Sequence, residues 1–288
     1  MNKYPVFILA GRDKERREIM KKMDPNEKYQ IKAQLPFLGK RVIDFVVEAL
    51  YQSKMVEEVY IVGQNNETLP FDNFPVKYIE ADYISDIKTK YNAILNHLER
   101  ENKKLNYIIF CSSDCPAIRP ELVDQFIKEV DSCENCDFIM SIVPNERVVE
   151  LYGKSNRVVG KFTDAEVFPG EMYALSPRAI KVGTKEIEIL SNRRRNRTFW
   201  GTASYIVKKA LKKPSTWFKI LKLVFKRASL EDAKIIFEKV FEIRGKAVII
   251  DDIGFGYDLD LVEDYERLEK LIVQRENEIK KRTVLQKN

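Results

Sequence analysis

The stretch from Tyr4 to Pro36 limits the fold of this chain more than any other. Val6-Phe7-Ile8-Leu9 is a short run of β-branched and aromatic residues that stops at Ala10-Gly11, the pattern of a buried first strand in a parallel sheet. Gly11 lets the backbone turn so that successive N–H groups can face an anion. Arg12, Lys14, Arg16 and Arg17 follow, and Lys32-Ala33-Gln34-Leu35-Pro36 returns an ammonium to the same strand end. Two readings fit these residues: a loop whose amides hold phosphates, or a solvated charged loop after an ordinary strand.

The next segments continue a β-α-β pattern. Val42 to Leu50 has helical spacing, Glu58 to Val62 reads as a second strand closed by Gly63, and Val76 to Ile79 as a third. Asp86 to Arg100 is a helix with the apolar stripe Ile87, Tyr91, Ile94, Leu95 and Leu98. Tyr107 to Cys111 is an interior strand that runs directly into Ser112-Ser113-Asp114. Ligands of open parallel sheets lie off the carboxyl ends of the strands, so Asp114 aims at the site that Gly11 and Lys32 approach. A lone carboxylate there suits Mg²⁺, a hard ion that takes few protein ligands beside phosphates and water; the alternative is a residue that supports the turn before Pro116. Pro120 opens another helix.

Other features carry less chemistry. His97 is the only histidine and has no triad-like surroundings. Cys133-Glu-Asn-Cys136 has the spacing of half a zinc site or of a redox pair, and two free thiols are expected. After Pro144 the strands shorten: Arg157 to Phe162, a turn at Thr163-Asp164, then Glu171 to Leu175 with Pro169-Gly170 just before it. Ala247 to Ile250 is a late strand followed by Gly254 to Gly256 and Asp258-Leu259-Asp260. Asp260 with Glu263 reads as a capping box for a helix from Val262 onward, and Asp258 as a turn residue.

Ser191 to Ser229 holds twelve Lys and Arg and no Asp or Glu, so a chain of net charge +6 carries −6 outside it. Trp217 to Arg227 is a basic amphipathic helix. Such a helix can lie on an anionic membrane surface, receive a phosphorylated substrate, or pack its apolar face on the core with its lysines in water, and packing is the arrangement expected here. Nucleic acid is an unlikely partner, because no known reading motif accompanies the charge. The 288 residues, 44% hydrophobic and 33% charged, fit one α/β domain bearing an insertion. No run approaches the ~18 apolar residues of a membrane span and no signal-peptide pattern begins the chain, so a cytoplasmic location is expected.

Val6 to Gly11, Lys32 to Pro36 and Gly39-Lys40 before the Val42 helix together resemble the opening of the MobA-like nucleotidyltransferases. Ser113-Asp114-Cys115-Pro116 is similar to that family's Gly-Asp-x-Pro metal segment, and Gly256-Tyr257-Asp258-Leu259-Asp260 to its closing Asp-x-Asp segment. The chain departs from the pattern in Arg12-Asp13, where a second Gly is usual, in Ser113 for Gly, and in Leu261-Val262 for Thr-Pro.

The resemblance implies a three-layer α/β sandwich with a mostly parallel, Rossmann-like, GT-A-type sheet. Residues 1–182 and 246–288 would form the core and 183–245 a basic helical insertion, a lid on the acceptor side. It implies NTP bound by Leu9, Ala10, Gly11, Arg12, Lys32 and Asn92, with Arg12, Lys32 and Asp114 catalytic. Mg²⁺ would be held by Asp114 with Asp258 or Asp260. Gly170 and Glu171 would border a phosphorylated acceptor, small or lipid-linked, with Glu171 standing where the family has Asn. The implied reaction is NMP transfer with release of pyrophosphate. The missing Gly after Gly11 motivates a competing reading as a nucleotide-binding regulatory module without turnover, and a nucleotide-sugar glycosyltransferase is a third.

Overall fold

A computed structural model of the chain describes residues 2–11, 15–82, 84, 86–153, 159–183 and 199–285. Arg12, Lys14, Arg157 and the cations from Arg193 to Arg197 lie outside the described residues. The strands are β1 (Tyr4–Leu9), β2 (Pro36–Phe37), β3 (Lys40–Arg41), β4 (Val56–Val62), β5 (Lys77–Ile79), β6 (Ile108–Ser112), β7 (Phe138–Pro144), β8 (Gly160–Lys161), β9 (Glu166–Leu175) and β10 (Gly245–Ile249). The helices are α1 (Glu18–Met23), α2 (Val42–Gln52), α3 (Ile87–Arg100), α4 (Pro120–Asp131), α5 (Asn145–Tyr152), α6 (residues 177–183), α7 (Phe199–Ala210), α8 (Trp217–Val224), α9 (Leu230–Phe241) and α10 (Val262–Leu285).

Eight strands form one sheet in the order β10-β7-β9-β6-β1-β4-β5, with β8 attached to β9. β5, β4, β1 and β6 run parallel, as do β7 and β10; β9 is antiparallel to both β6 and β7. The parallel strands are apolar on both faces, because helices cover both. Val6 and Ile8 face α2 and α4 with Val46, Leu50 and Phe126, whereas Phe7 faces α3 with Tyr60, Tyr91, Ile94 and Phe110. The result is the expected three-layer, mostly parallel α/β sandwich.

β1 lies between β4 and β6, so Gly11 just past its end has the end of β4 on one side and the end of β6 on the other. Pro169 and Gly170 stand inside β9 and not ahead of it, because β9 continues past Glu171 to pair with Val143 and Pro144. The register shifts between Met140 and Ile142, and there Gly170 passes so close to β7 that an added Cβ would stand 2.2 Å from Ser141 Oγ.

Three other expectations are corrected. Cys133 and Cys136 are joined as a disulfide rather than free: α4 ends at Asp131, and the turn that leads back toward β7 leaves their Cα atoms 5.9 Å apart, within disulfide reach. The cap of α10 is supplied by Asp264, not by an Asp260–Glu263 box. That helix starts at Val262, so its third residue is Asp264, whose carboxylate accepts the N–H groups of Leu261 at 2.8 Å and Asp260 at 3.3 Å.

The third correction concerns α8, which does not bury its aromatic face. α7, α8 and α9 share a small core of Ala210, Ile220, Ile236 and Val240. Asp232 of α9 accepts from Lys219 at 2.8 Å and Lys222 at 3.1 Å, and these bonds hold its carboxyl well below the usual carboxylate range. Drawing the lysines inward turns Trp217, Phe218, Leu221, Val224 and Phe225 outward. Among the described residues no helix is long and apolar enough to cross a membrane.

Candidate active site

Two segments far apart in sequence meet at the carboxyl end of β6. Leu259 N–H donates to the Asp114 carbonyl at 3.0 Å, which ties the chain after β10 to the turn after β6. Tyr257 and Leu259 are fully buried, and the chain bends at Leu259, where Asp260 N–H donates to the Asp258 carbonyl at 3.2 Å and the two carboxylates are drawn together. One carboxylate oxygen from each of Asp114, Asp258 and Asp260 lies within 4.8 Å of the others.

Lys32 enters this cluster from the single 3-10 turn Lys32–Gln34. Ile31, Ala33 and Leu35 are buried around it, and Gln34 Oε1 accepts the N–H groups of Gln30 and Ile31, so the turn is held from both sides. Lys32 Nζ lies 2.5 Å from Asp114 Oδ2 and 2.6 Å from Asp260 Oδ1, and donates to the Leu259 carbonyl at 2.8 Å. Burial would lower the pKa of this amine, but the fields of Asp114, Asp260 and Asp258 outweigh it and raise the pKa above the ordinary lysine value. Lys32 is therefore a fixed cation.

Arg17 is a further cation that the sequence reading counted in the charged loop but did not place in the site; its guanidinium pairs with Asp260. Arg16 is used differently, bonding the carboxylate and carbonyl of Asp24 to close the loop's far corner. Among the described residues, three carboxylates face the two cations Lys32 and Arg17.

The donor set fits Mg²⁺: three hard oxygen ligands, close enough to share one small ion, with Asp114 further oriented by Ser112 Oγ, which donates to its Oδ1 at 2.6 Å. Lys32 shows that the cluster already draws a cation between Asp114 and Asp260. Cys115 does not join the set. Its hydrogen bond with Cys111, its burial, and then the charges of Glu171 and Asp114 push its pKa well up, so it stays a thiol.

On the opposite flank of β1, Ala10 is fully buried and its N–H bonds to the Val62 carbonyl at 2.9 Å. Leu9 is half-buried and packs toward α3, and Gly11 is half-exposed, so only the backbone of this stretch can meet a ligand. Gln64 sits just past β4. Its Nε2 donates to the Ala10 carbonyl at 3.3 Å, while its buried Oε1 has no donor among the described residues. No motif in the sequence singled out Gln64. Asn92 is exposed on α3. His97 packs edge-on against Tyr60, and burial lowers its pKa, which leaves a neutral ring outside the cluster.

The closing segment is braced by close packing. An added Cβ at Gly254 would lie 2.2 Å from the Ala117 carbonyl oxygen, which accepts from Arg275 Nη1 at 2.9 Å. Gly254→Ala is expected to cost about 1–3 kcal/mol of stability and to weaken divalent-cation binding, as Asp258 and Asp260 lose register with Asp114. Denaturant melts and titration calorimetry check both; an unchanged midpoint would mean that this approach relaxes freely.

The sequence has no match among curated proteins. In fold, the chain is similar to a hypothetical transferase from Thermus thermophilus, at 18% identity and TM-score 0.65 over 92% of this chain and 100% of that one. It is also similar to a CMP:2-keto-3-deoxy-manno-octonic acid synthetase complexed with CTP, at 11% identity and TM-score 0.54 over 96% and 100% of the two chains. A cytidylyltransferase from Leptospira borgpetersenii serovar Hardjo-bovis follows at 14% and 0.51, over 95% of this chain and 88% of that one. At these identities the likeness is one of fold. The family model of the MobA-like NTP transferase domain matches residues 22–193, more than half of the chain. With Lys32 and Asp114 inside the matched region, and the fold and strand-end site in place, the chain belongs to the MobA-like NTP transferase family.

Proposed function

We propose that the chain transfers a nucleoside monophosphate from an NTP to a phosphorylated acceptor and releases pyrophosphate. The observation that carries this is the meeting of Lys32 with Asp114, Asp258 and Asp260 at the strand ends of an NTP-transferase fold. An oxygen of the acceptor's phosphate attacks the α-phosphorus in line; its bond forms as the α–β bridging P–O bond breaks, and pyrophosphate leaves with that electron pair. The attacking oxygen is already ionised, so no general base is required and the position of His97 costs nothing.

The chain's residues align and neutralise. The backbone from Ala10 to Gly11 faces the phosphates, and Arg12 is assigned to the same loop. Lys32 turns its ammonium to the leaving phosphates, where fixed positive charge stabilises the transition state. Asp114 with Asp258 and Asp260 would hold Mg²⁺, which when bound offsets charge on the attacking and bridging oxygens. Gly170 and Glu171 on β9 border the acceptor side.

For the base we propose one that carries an exocyclic amino group, cytosine first. Among the described residues Gln64 Oε1, beside Ala10, has no donor, which suits an exocyclic amino group, and one fold neighbour is described in complex with CTP. With Mg²⁺ and a panel of phosphorylated acceptors, pyrophosphate release from CTP is expected to exceed that from UTP. Gln64→Leu is expected to remove about tenfold of that preference, the worth of one well-made hydrogen bond. Release of a nucleoside diphosphate from nucleotide sugars would instead favour the glycosyltransferase reading. NTP-dependent thermal stabilisation with no pyrophosphate from any NTP would favour a regulatory module.

A further inference from the structure

We propose that the α8 face of the insertion docks on an anionic phospholipid bilayer. At about 100° per residue, Trp217, Phe218, Leu221, Val224 and Phe225 share one continuous arc of this helix. They are 52%, 71%, 54%, 62% and 69% exposed. Scattered exposed apolar residues are ordinary, but a contiguous aromatic and aliphatic face of this size marks a contact surface. The helix is already anchored on its opposite side, through Ile220 and the bonds of Lys219 and Lys222 to Asp232. The apolar arc is therefore what remains after the insertion has folded.

The charge beside the arc selects the occupant. Lys212, Lys226 and Arg227 are exposed at its margins, and among the described residues none has a carboxylate partner. A second copy docking through the same patch would bring these cations against their own images. A soluble anion would leave the five apolar side chains wet. Single-stranded nucleic acid would stack on the aromatic rings but gains nothing from Leu221 and Val224, and the surface is a convex helix rather than a groove. A bilayer with anionic headgroups satisfies both halves: the arc enters the acyl boundary while the cations remain among the phosphates.

The placement suits a membrane-facing acceptor side. The loop ahead of α9 is fixed to the β8–β9 turn, where Thr163 N–H donates to the Ala228 carbonyl at 2.9 Å and Leu230 N–H to Asp164 at 2.9 Å. β9 there pairs with the carboxyl end of β7, so the loop that follows α8 lies at the end of the sheet that carries Asp114. This goes beyond the transferase reading and is tested without turnover.

The full chain is sedimented with vesicles of phosphatidylcholine alone and of phosphatidylcholine with phosphatidylglycerol, at low and high salt. Binding is expected to the anionic vesicles only and to fall with salt. Lys226→Glu with Arg227→Glu is expected to weaken it at least tenfold, since each cation near the surface is worth about fivefold. Phe218→Ser with Phe225→Ser should weaken it comparably while thermal melts stay unchanged, both rings being exposed. Any of four results would overturn the proposal: no binding to anionic vesicles, equal binding to both vesicle types, variants that bind like the parent, or a patch-dependent dimer or oligonucleotide complex in place of vesicle binding.

Discussion

Asp114→Asn is expected to abolish Mg²⁺-dependent pyrophosphate release while leaving the fold in place. The substitution keeps the shape of the side chain, and the backbone carbonyl of residue 114 still accepts from Leu259 N–H, so the tether between the two segments survives. What changes is charge: the cluster loses one of its three carboxylates, the one oriented by Ser112 and Lys32. Loss of a metal-directing, charge-stabilising group should lower turnover by about a thousandfold, roughly 4 kcal/mol. Initial-rate assays over a Mg²⁺ titration, with circular dichroism on the same sample, read both parts. A fully active variant, or one that simply unfolds, would make Asp114 a turn residue.

Lys32→Ala should show two effects of opposite sensitivity to divalent cations. Without its ammonium, three carboxylates face one another with one of the two cations described there gone, and Lys32 is itself largely buried, its side chain 17% exposed. Removing one partner of such a pair costs about 3–5 kcal/mol, so without divalent ions the variant should melt well below the parent. Mg²⁺ binds only the folded cluster, and a hundredfold excess over its dissociation constant returns about 2.7 kcal/mol. The melting temperature of the variant should thus rise with Mg²⁺ more than the parent's. Turnover should remain about 2–4 kcal/mol worse at saturating Mg²⁺, because the phosphate-directed cation is still missing. Equal Mg²⁺ responses in the two proteins would detach Lys32 from the acid cluster.

The strands that carry this site were legible because their cues are local. Val6 to Gly11 and Tyr107 to Asp114 each combine an unbroken apolar run with a strand-end residue suited to an anion or a cation, and each lies where the pattern placed it, within a residue or two. Asp258 and Asp260 came into the site only through the resemblance to the family's closing Asp-x-Asp segment; their local pattern alone reads as a turn residue and a cap. The capping box was misassigned because its geometry depends on where α10 begins, and one residue of offset exchanges Glu263 for Asp264 and leaves Asp260 to the cluster. Gln64 and Arg17 have meaning only through partners distant in the chain, Ala10 and Asp260, and no periodicity encodes such a meeting. The aromatic face of α8 misled for a related reason. An apolar stripe states that something should cover it, but Asp232, a single carboxylate on the next helix, decides which way the stripe turns.

The matched family region ends at residue 193, whereas Asp258 and Asp260 arrive only with the last strand and the segment that precedes α10. Among the described residues, a site built only from the chain ahead of β10 would set Lys32 and Arg17 against Asp114, a net positive pocket that attracts a triphosphate and repels its counterion. The late segment reverses that polarity. The hydrogen bond from Leu259 to Asp114 therefore separates two electrostatic identities of one cleft: an anion trap before the chain's closing turn has docked, and a cation-hungry centre once it has.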